Sequence, residues 1–509
     1  MTGKKTFDIN KPLLKTINRS SEFNAKYVKA QLGESADIIV RELALGKKQN
    51  INICIVYTEG LTDNFAVQDL LIKTLLFEIE KVDTLSKDNT FDALLNCSLP
   101  NGDVSTKKNY EDVFLSFLSG DTVVFVDGYQ KVISFGTRGW SDRGISEPQT
   151  EAVIKGPKDA FTETMRTNTA LIRRRIRDHK LWFESFNIGS RTKTDISVAY
   201  IKDIVNQEVL VELRERLSKI DIDGILEASY IEDLIEEKKH SVFPTVYSTE
   251  RPDVVTSHIL EGKVAIFVDG TPFVMIVPAL FFSFFQSPED YYQKFQIASL
   301  TRILRIAAFF IALLVPSLYI AITTFHPQII PASLLTNIIS QREGIPFPGF
   351  MEALIMEITF EILREAGIRM PRAVGAAISV VGALVIGDAA VSAGFVSPIM
   401  VIVVAITAIA SLLLPKYNLA NSVRILRFFI MIMAAMYGLI GISFALMMLI
   451  FHLVNLKSFN IPYLSGLAPF SASDQEDLIF RMPTYFFRHR PDYIGVKNKI
   501  RQKKRKSDK

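Results

Sequence analysis

GDTVVFVDG, residues 120–128, comes back as GKVAIFVDG at residues 262–270, an offset of 142. Working outward, ICIVYTEG at 53–60 matches ISVAYIKD at 196–203, an offset of 143. Each copy has an apolar β-branched run, a helix-like acidic stretch, and a second apolar run closed by Asp-Gly, a tight-turn signal. A helical pattern precedes each copy, at about 23–45 and 159–186. The expected fold is therefore two tandem mixed α/β lobes, 26–150 and 151–300, behind an N-terminal extension 1–25. Asp127 and Asp269 sit at the same turn in both copies, which favours a structural role over a catalytic one.

The remainder is of another kind. The 509 residues have a mean hydropathy of +0.23 with 22% charged residues, too apolar for a soluble protein and too charged for a wholly embedded one. Residues 1–300 carry 37 Lys+Arg against 43 Asp+Glu, residues 301–456 carry 9 against 6, and residues 457–509 carry 12 against 5. An acidic soluble region thus precedes a charge-poor region and a basic tail. No domain is uniformly basic, so nucleic acid is not an expected partner. The start, MTGKKTFDINKP, has no apolar core of a leader peptide, and insertion is expected to rely on the later segments.

Residues 303–325 are uncharged after Arg305 and long enough for a ~30 Å hydrocarbon layer. Residues 373–395, 396–414 and 428–453 are three more candidates. The expectation is a transmembrane helical bundle of about four spans over 301–456, with a basic tail over 457–509. Pro316 marks a kink or hinge in the first span. Arg302, Arg305 and the tail point to the cytoplasmic side, and four spans satisfy both; Arg369, Arg372, Lys416, Arg424 and Arg427 would then lie outside, and a fifth crossing through 351–368 would move them inside and the tail outside.

Between the first two candidates, MEALIMEITFEILREAGI at 351–368 carries too many acids for lipid on every face. Two readings stand. Arg364, Arg369 and Arg372 neutralise the acids locally, or Glu352, Glu357 and Glu361 form a cation-attracting vestibule, as acidic rings do in cation channels. The 373–395 stretch is built of Gly, Ala and Ser, which suits close helix packing or a narrow pore wall. On it Val380, Val381, Leu384 and Val385 are candidates for a hydrophobic gate, with Asp388 near its end. RRRIR at 173–177 is a solvated face, or Arg173, Arg174 and Arg175 meet acids on a neighbouring subunit. There is no phosphate-binding Gly loop, no dinucleotide fingerprint and no ligand spacing among the six histidines. No enzyme, metal or cofactor is expected. Cys54 and Cys97 lie in apolar runs and are expected reduced.

Several long motifs in fixed order make the chain resemble the A subunits of GerA-type spore germinant receptors, over about residues 30–490. They are EPQTEAVIKGPKDAFTETMRTNTALIRRRI (147–176), TERPD (249–253), GKVAIFVDGTPFVMIVPALFFSFFQSPEDYY (262–292), QREGIPFPGF (341–350) and EILREAGIRMPRAVG (361–375). The resemblance implies a protein of the spore inner membrane, integral to the lipid, with lobes on the core (cytoplasmic) side. It also implies a permease-like B subunit, a lipoprotein C subunit, and a homo-oligomer, expected as a pentamer, that opens a ligand-gated path for monovalent cations. A secondary transporter component and a non-conducting scaffold for germination proteins are the rival readings.

Overall fold

The computed structural model describes residues 12–45, 51–63, 65–68, 90–96, 103–139, 147–369, 387–471, 473–496 and 498–502. The chain divides into two compact units. Unit 1 holds Met1–Glu237, Val246–Pro278 and Phe487–Lys509; unit 2 holds Lys238–Thr245 and Ala279–Phe486. The unit that holds both sequence copies runs to Pro278 before the chain enters unit 2, and the last stretch of the basic tail, from Phe487, belongs to unit 1.

Unit 1 contains two five-stranded antiparallel sheets, one per sequence copy. The first comprises β1 (Ile38–Leu45), β2 (Ile51–Thr58), β3 (Val104–Lys107), β4 (Thr122–Val126) and β5 (Val132–Phe135), ordered β1-β2-β4-β5-β3. The second comprises β6 (Leu181–Ile188), β7 (Thr194–Ile201), β8 (Tyr247–Thr249), β9 (Val264–Val268) and β10 (Val274–Val277), ordered β6-β7-β9-β10-β8. Register is preserved with the order. Ile53 pairs with Val126 in the first sheet, and their counterparts Ile196 and Val268 pair in the second.

Among the described residues of this unit the helices are α1 (Ser21–Gln31), α2 (Thr90–Asn96), α3 (Tyr110–Phe117), α4 (Met165–Arg175), α5 (Gln207–Ser218), α6 (Ala228–Ile235) and α7 (Pro252–Glu261). Strand alternation decides what each helix covers. Cys54 and Val56 pack with α1 and α3 residues such as Val28 and Phe117, while Ile53, Ile55 and Tyr57 pack with Phe91 and Leu94 of α2. A central strand buried on both faces explains why β2 reads as a continuous apolar run. Burial also pushes the Cys54 thiol up to about 12, helped by Glu42, so it stays protonated.

The repeated Val-Asp-Gly has one job in both copies. The Asp127 carboxylate accepts from Ser21 N at 3.2 Å and Asp269 from Met165 N at 3.0 Å, each at the first residue of the helix preceding its sheet. The next residues, Gly128 and Gly270, have φ of 93° and 89° and donate to Arg19 O and Glu163 O at 2.7 and 2.8 Å. The carboxylate neutralises orphan N–H groups at a positive helix end. The C-terminal stretch closes the second copy. Asn206 donates to Ile494 O at 2.6 Å, and Val496 fills the space beside Gly262, where any Cβ would lie 2.3 Å from it.

Unit 2 holds α8 (Glu289–Tyr292), α9 (Phe295–Phe325), α10 (Ala332–Arg342), α11 (Gly349–Arg369), α12 (Gly387–Ser392), α13 (Pro398–Leu412) and α14 (Tyr417–Asn455). Among the described residues two helices, α9 and α14, are long and apolar enough to cross a membrane. Two such helices thus stand among the described residues where about four spans were expected. The apolar helix at 396–414 has 15 residues, or ~22 Å, short of a ~30 Å layer. The expected span 373–395 lies largely outside the described residues.

The expected tilted span at 428–453 also takes another form. Gly438 in α14 has φ 60° and ψ −138°, which breaks the helix. Ser422 donates to Val242 O, and His452 Nε2 lies 2.9 Å from Ser241 Oγ. Straight, the 30 residues between Ser422 and His452 would separate them by ~45 Å; both instead touch adjacent residues. The chain doubles back at Gly438, giving two arms, 417–437 and 439–455. The turn needs glycine twice over: positive φ, and a Cβ that would sit 3.0 Å from Phe325 and His326 at the end of α9.

Candidate functional site

Polar groups inside an apolar bundle are where chemistry is to be sought. Pro348 and Gly349 start α11, and its acids then fall on more than one face. Glu352 is wholly buried. It accepts from Ser397 N and Oγ, both at 3.0 Å, and pairs with Arg342 Nη2 at 3.2 Å. Ser397 also caps α13 by accepting from Met400 N, so a single carboxylate ties α10, α11 and α13 together.

One turn on and beyond, Glu357 and Glu361 face the first arm of α14. Arg427, only 1% exposed, places Nη1 3.1 Å from Glu357 and Nη2 3.2 Å from Glu361. Arg364 pairs with Glu361 along α11, and Arg424 Nε lies 3.9 Å from the same carboxylate. Three guanidinium groups thus meet two carboxylates. Separately, at the base of α9, buried Arg302 joins Asp290 and Asp477 at 3.2 and 3.0 Å, and Arg305 joins Asp290 at 2.8 Å.

These contacts bear on both readings of 351–368. Glu352 and Glu357 do not line open water; they are neutralised, across helices, by Arg342 and Arg427. Arg369 pairs instead with Glu365 at the surface, and Arg372 lies outside the described residues. Glu361 alone of the three is partly exposed, at 23%. Of the gate candidates, Val380, Val381, Leu384 and Val385 lie outside the described residues, and Asp388 is exposed in the first turn of α12. Pro316 is buried within a helix that continues past it for two turns.

The arginine run behaves differently from an open subunit surface. Arg173 is fully buried and forks onto Asp37 at 2.8 and 3.0 Å, joining the two sequence copies within the chain. Arg175 pairs with Asp159 at 2.6 Å, and Arg174 is exposed. Arg173 is therefore a clasp within the chain. The residues that sequence reasoning missed are Arg424 and Arg427, weighed only as topology markers, and Ser397. A helical wheel displays one helix; it cannot show which arginine on another helix faces Glu357.

The profile of the Bacillus/Clostridium GerA spore germination proteins matches residues 26–493. Spore germination protein KA of Bacillus subtilis is 46% identical, over 96% of this chain and 89% of its own length. Spore germination protein GerLA of Bacillus cereus is 39% identical, over 94% and 97%. The uncharacterized membrane protein YfkQ of Bacillus subtilis is 41% identical, over 93% and 91%. The crystal structure of the N-terminal domain of the A subunit of the Bacillus megaterium spore germinant receptor GerK3 is 40% identical, covering 53% of this chain and 99% of that one, with a TM-score of 0.43. A match from residue 26 to 493 leaves little of the chain outside it, and this protein belongs to the GerA family of spore germination proteins.

Proposed function

We propose that this chain is the A subunit of a nutrient germinant receptor in the spore inner membrane, and that copies of it surround a ligand-gated path for monovalent cations. In this reading the lobes face the spore core, and the chain works with a permease-like B subunit and a lipoprotein C subunit. The observation that carries the reading is the buried Glu357–Arg427 pair in an apolar bundle. Charged groups are expensive at such depth and mark ion routes. Unit 1 contains residues before 279 and after 486 in one body, which favours an even number of crossings, with the tail on the side of the lobes.

The small-residue stretch 373–395 is our assignment for the pore wall, with Val380, Val381, Leu384 and Val385 as a constriction that gates by dewetting. Narrowing to alanine widens such a constriction, so V381A and V385A should leak cations or germinate without nutrient. Normal dormancy in both removes this stretch as the gate. Planar bilayers containing the purified chain, with its partner subunits where needed, test the broader reading. Unitary currents support a channel, and silence leaves a scaffold. The break at Gly438 favours a carrier component as the second reading, since carriers use interrupted helices; substrate-coupled flux without unitary currents would establish it.

A further inference from the structure

The two sequence copies share a groove and close it with different pieces of chain. It lies between the glycine that precedes β4 or β9 and the turn that follows β2 or β7. In the first copy a Cβ on Gly120 would lie 2.8 Å from Leu61 O and 3.3 Å from Arg138 Cγ, and Gly139 N donates to Leu61 O at 3.2 Å. In the second copy a Cβ on Gly262 would lie 3.1 Å from Ile204 O and 2.3 Å from Val496 Cγ1. Gly120 and Gly262 are related by the offset of 142, Leu61 and Ile204 by that of 143, so Val496 takes the place of Arg138. The first occupant follows β5 directly, whereas the second arrives from beyond unit 2 in sequence. By the offset of 142, Leu280 and Phe281 are the counterparts of Arg138 and Gly139. They are used elsewhere: Phe281 N donates to Tyr463 O at 3.0 Å within unit 2. The second groove has lost its local occupant and taken a distant one.

The distant piece is closed on itself. Arg490 N donates to Lys499 O and Arg501 N to Arg488 O, both at 2.8 Å. Arg490 Nη1 donates to Asn498 O at 2.9 Å and to Ile500 O at 2.6 Å, and Gly495 N turns back onto Asp492 O at 3.0 Å. These bonds travel with the piece, so its shape does not depend on the groove. Its grip on the groove is small by comparison. Ile494 and Val496 are 0% and 3% exposed. Asn206 Nδ2 donates to Ile494 O at 2.6 Å, and Arg490 Nε donates to Leu260 O at 2.8 Å, near the end of α7. Charge adds a weaker attraction. From Phe487 onward the sequence has ten Lys+Arg and two Asp, against the acidic balance of residues 1–300, and Arg501 lies 3.8 Å from Glu261. A segment with many bonds of its own and few to its host opens at less cost than the host unfolds.

We infer that residues 488–496 are a releasable plug, which docks in the groove of the second copy and leaves it as a unit while α7 and β9 stay folded. Docked, the plug caps the end of α7 and packs beside the residue that leads into β9. The chain enters it from unit 2 at Phe486, so its local concentration at the groove is set by that tether. A change at that end of unit 2 therefore alters its hold on the second copy. The inference requires neither a channel nor a membrane.

The full chain carrying V496C and C97A, purified in mild detergent, is exposed to a maleimide, and the modified peptides are followed by mass. Cys54, fully buried in β2, is the internal reference for opening of the whole sheet. The thiol introduced at 496 should react at least ~10-fold faster than Cys54 and at least ~10-fold slower than in the denatured chain. Raising sodium chloride from about 50 to about 500 mM should speed it about threefold, because screening weakens the charge attraction. N206A and R490A should each speed it about tenfold, with Cys54 unchanged. Ten Gly/Ser residues inserted after Phe486 should speed it about threefold by diluting the plug, and an unchanged rate would remove the role of the tether. One common rate for both thiols under all conditions would make the segment a fixed part of the lobe and overturn the inference. Reaction at the denatured rate would overturn it too, since nothing would then be docked. I494C repeats the measurement, so that damage from one substitution does not decide it. A fast thiol at 496 with a slow one at 494 would mean that the edge frays and the piece does not leave as a unit.

Discussion

Two fully buried arginines, one in each unit, end in opposite states. Arg173 in unit 1 spends every donor: Nε and Nη2 on Asp37, Nη2 also on Ser35 Oγ at 3.4 Å, and Nη1 on Asp178 O and Leu181 O at 3.2 and 3.0 Å. Arg427 in unit 2 reaches two carboxylates and leaves Nε bare, beside two arginines that are also short of acceptors. A guanidinium buried within a chain can be saturated by that chain, because backbone carbonyls and loops surround it. Between two helices there are no spare carbonyls, since each is already bonded to the next turn. The saturated arginine is a clasp; the cluster in unit 2 keeps buried donors without acceptors.

Breaking the clasp should have the largest effect. R173A leaves Asp37 charged, buried and unpaired, and costs about 3–5 kcal/mol of stability, read as a fall in the unfolding midpoint of the full chain. R173A combined with D37N should recover part of it, because the stranded charge is gone. Breaking Arg427 should cost less, about 2–3 kcal/mol for R427L, since its cluster is already imperfect. If R427L matches R173A in cost, the contrast between the two sites fails.

The duplication was legible because apolar β-branched runs recur at a fixed spacing; the strand order and the register, Ile53–Val126 and Ile196–Val268 alike, came only with the structure. The role of Asp127 and Asp269 was half legible: the turn showed, but the helix end 100 residues upstream did not. Arg173 hid in a run of arginines, although Ile172 and Ile176 beside it signalled a buried face. In unit 2, hydropathy saw a continuous apolar run and passed over Gly438 and Gly441, whose small size permits the fold-back. The Glu–Arg pairs were illegible in principle, since they join helices whose mutual rotation no single-helix pattern contains.

The fold-back sharpens the comparison inside unit 2. G438A asks an L residue to hold φ 60° against Phe325 and His326, at a cost of about 1–2 kcal/mol. The loss should be seen as a lower detergent-unfolding midpoint, with the soluble unit's signal unchanged. A shared fall in both would mean that the hairpin supports more than its own unit.

The smallest effect tests whether unit 1, so well saturated at Arg173, holds an unsatisfied charge anywhere. Glu232 on α6 is the candidate. Burial, then Glu236, push its carboxyl up to about 7, against one opposing hydrogen bond from Ser248 Oγ at 3.3 Å. The folded chain therefore binds this proton more tightly than the unfolded chain. The stability it contributes is complete below about pH 4.5 and is lost as pH rises through about 7. E232Q should abolish that slope, leaving the variant about 1 kcal/mol more stable than the native chain at pH 8 and no more stable at pH 4. Unfolding midpoints across pH 4–8 measure it. An unchanged slope would mean that Glu232 relaxes to water, and that unit 1 carries its charges without penalty throughout.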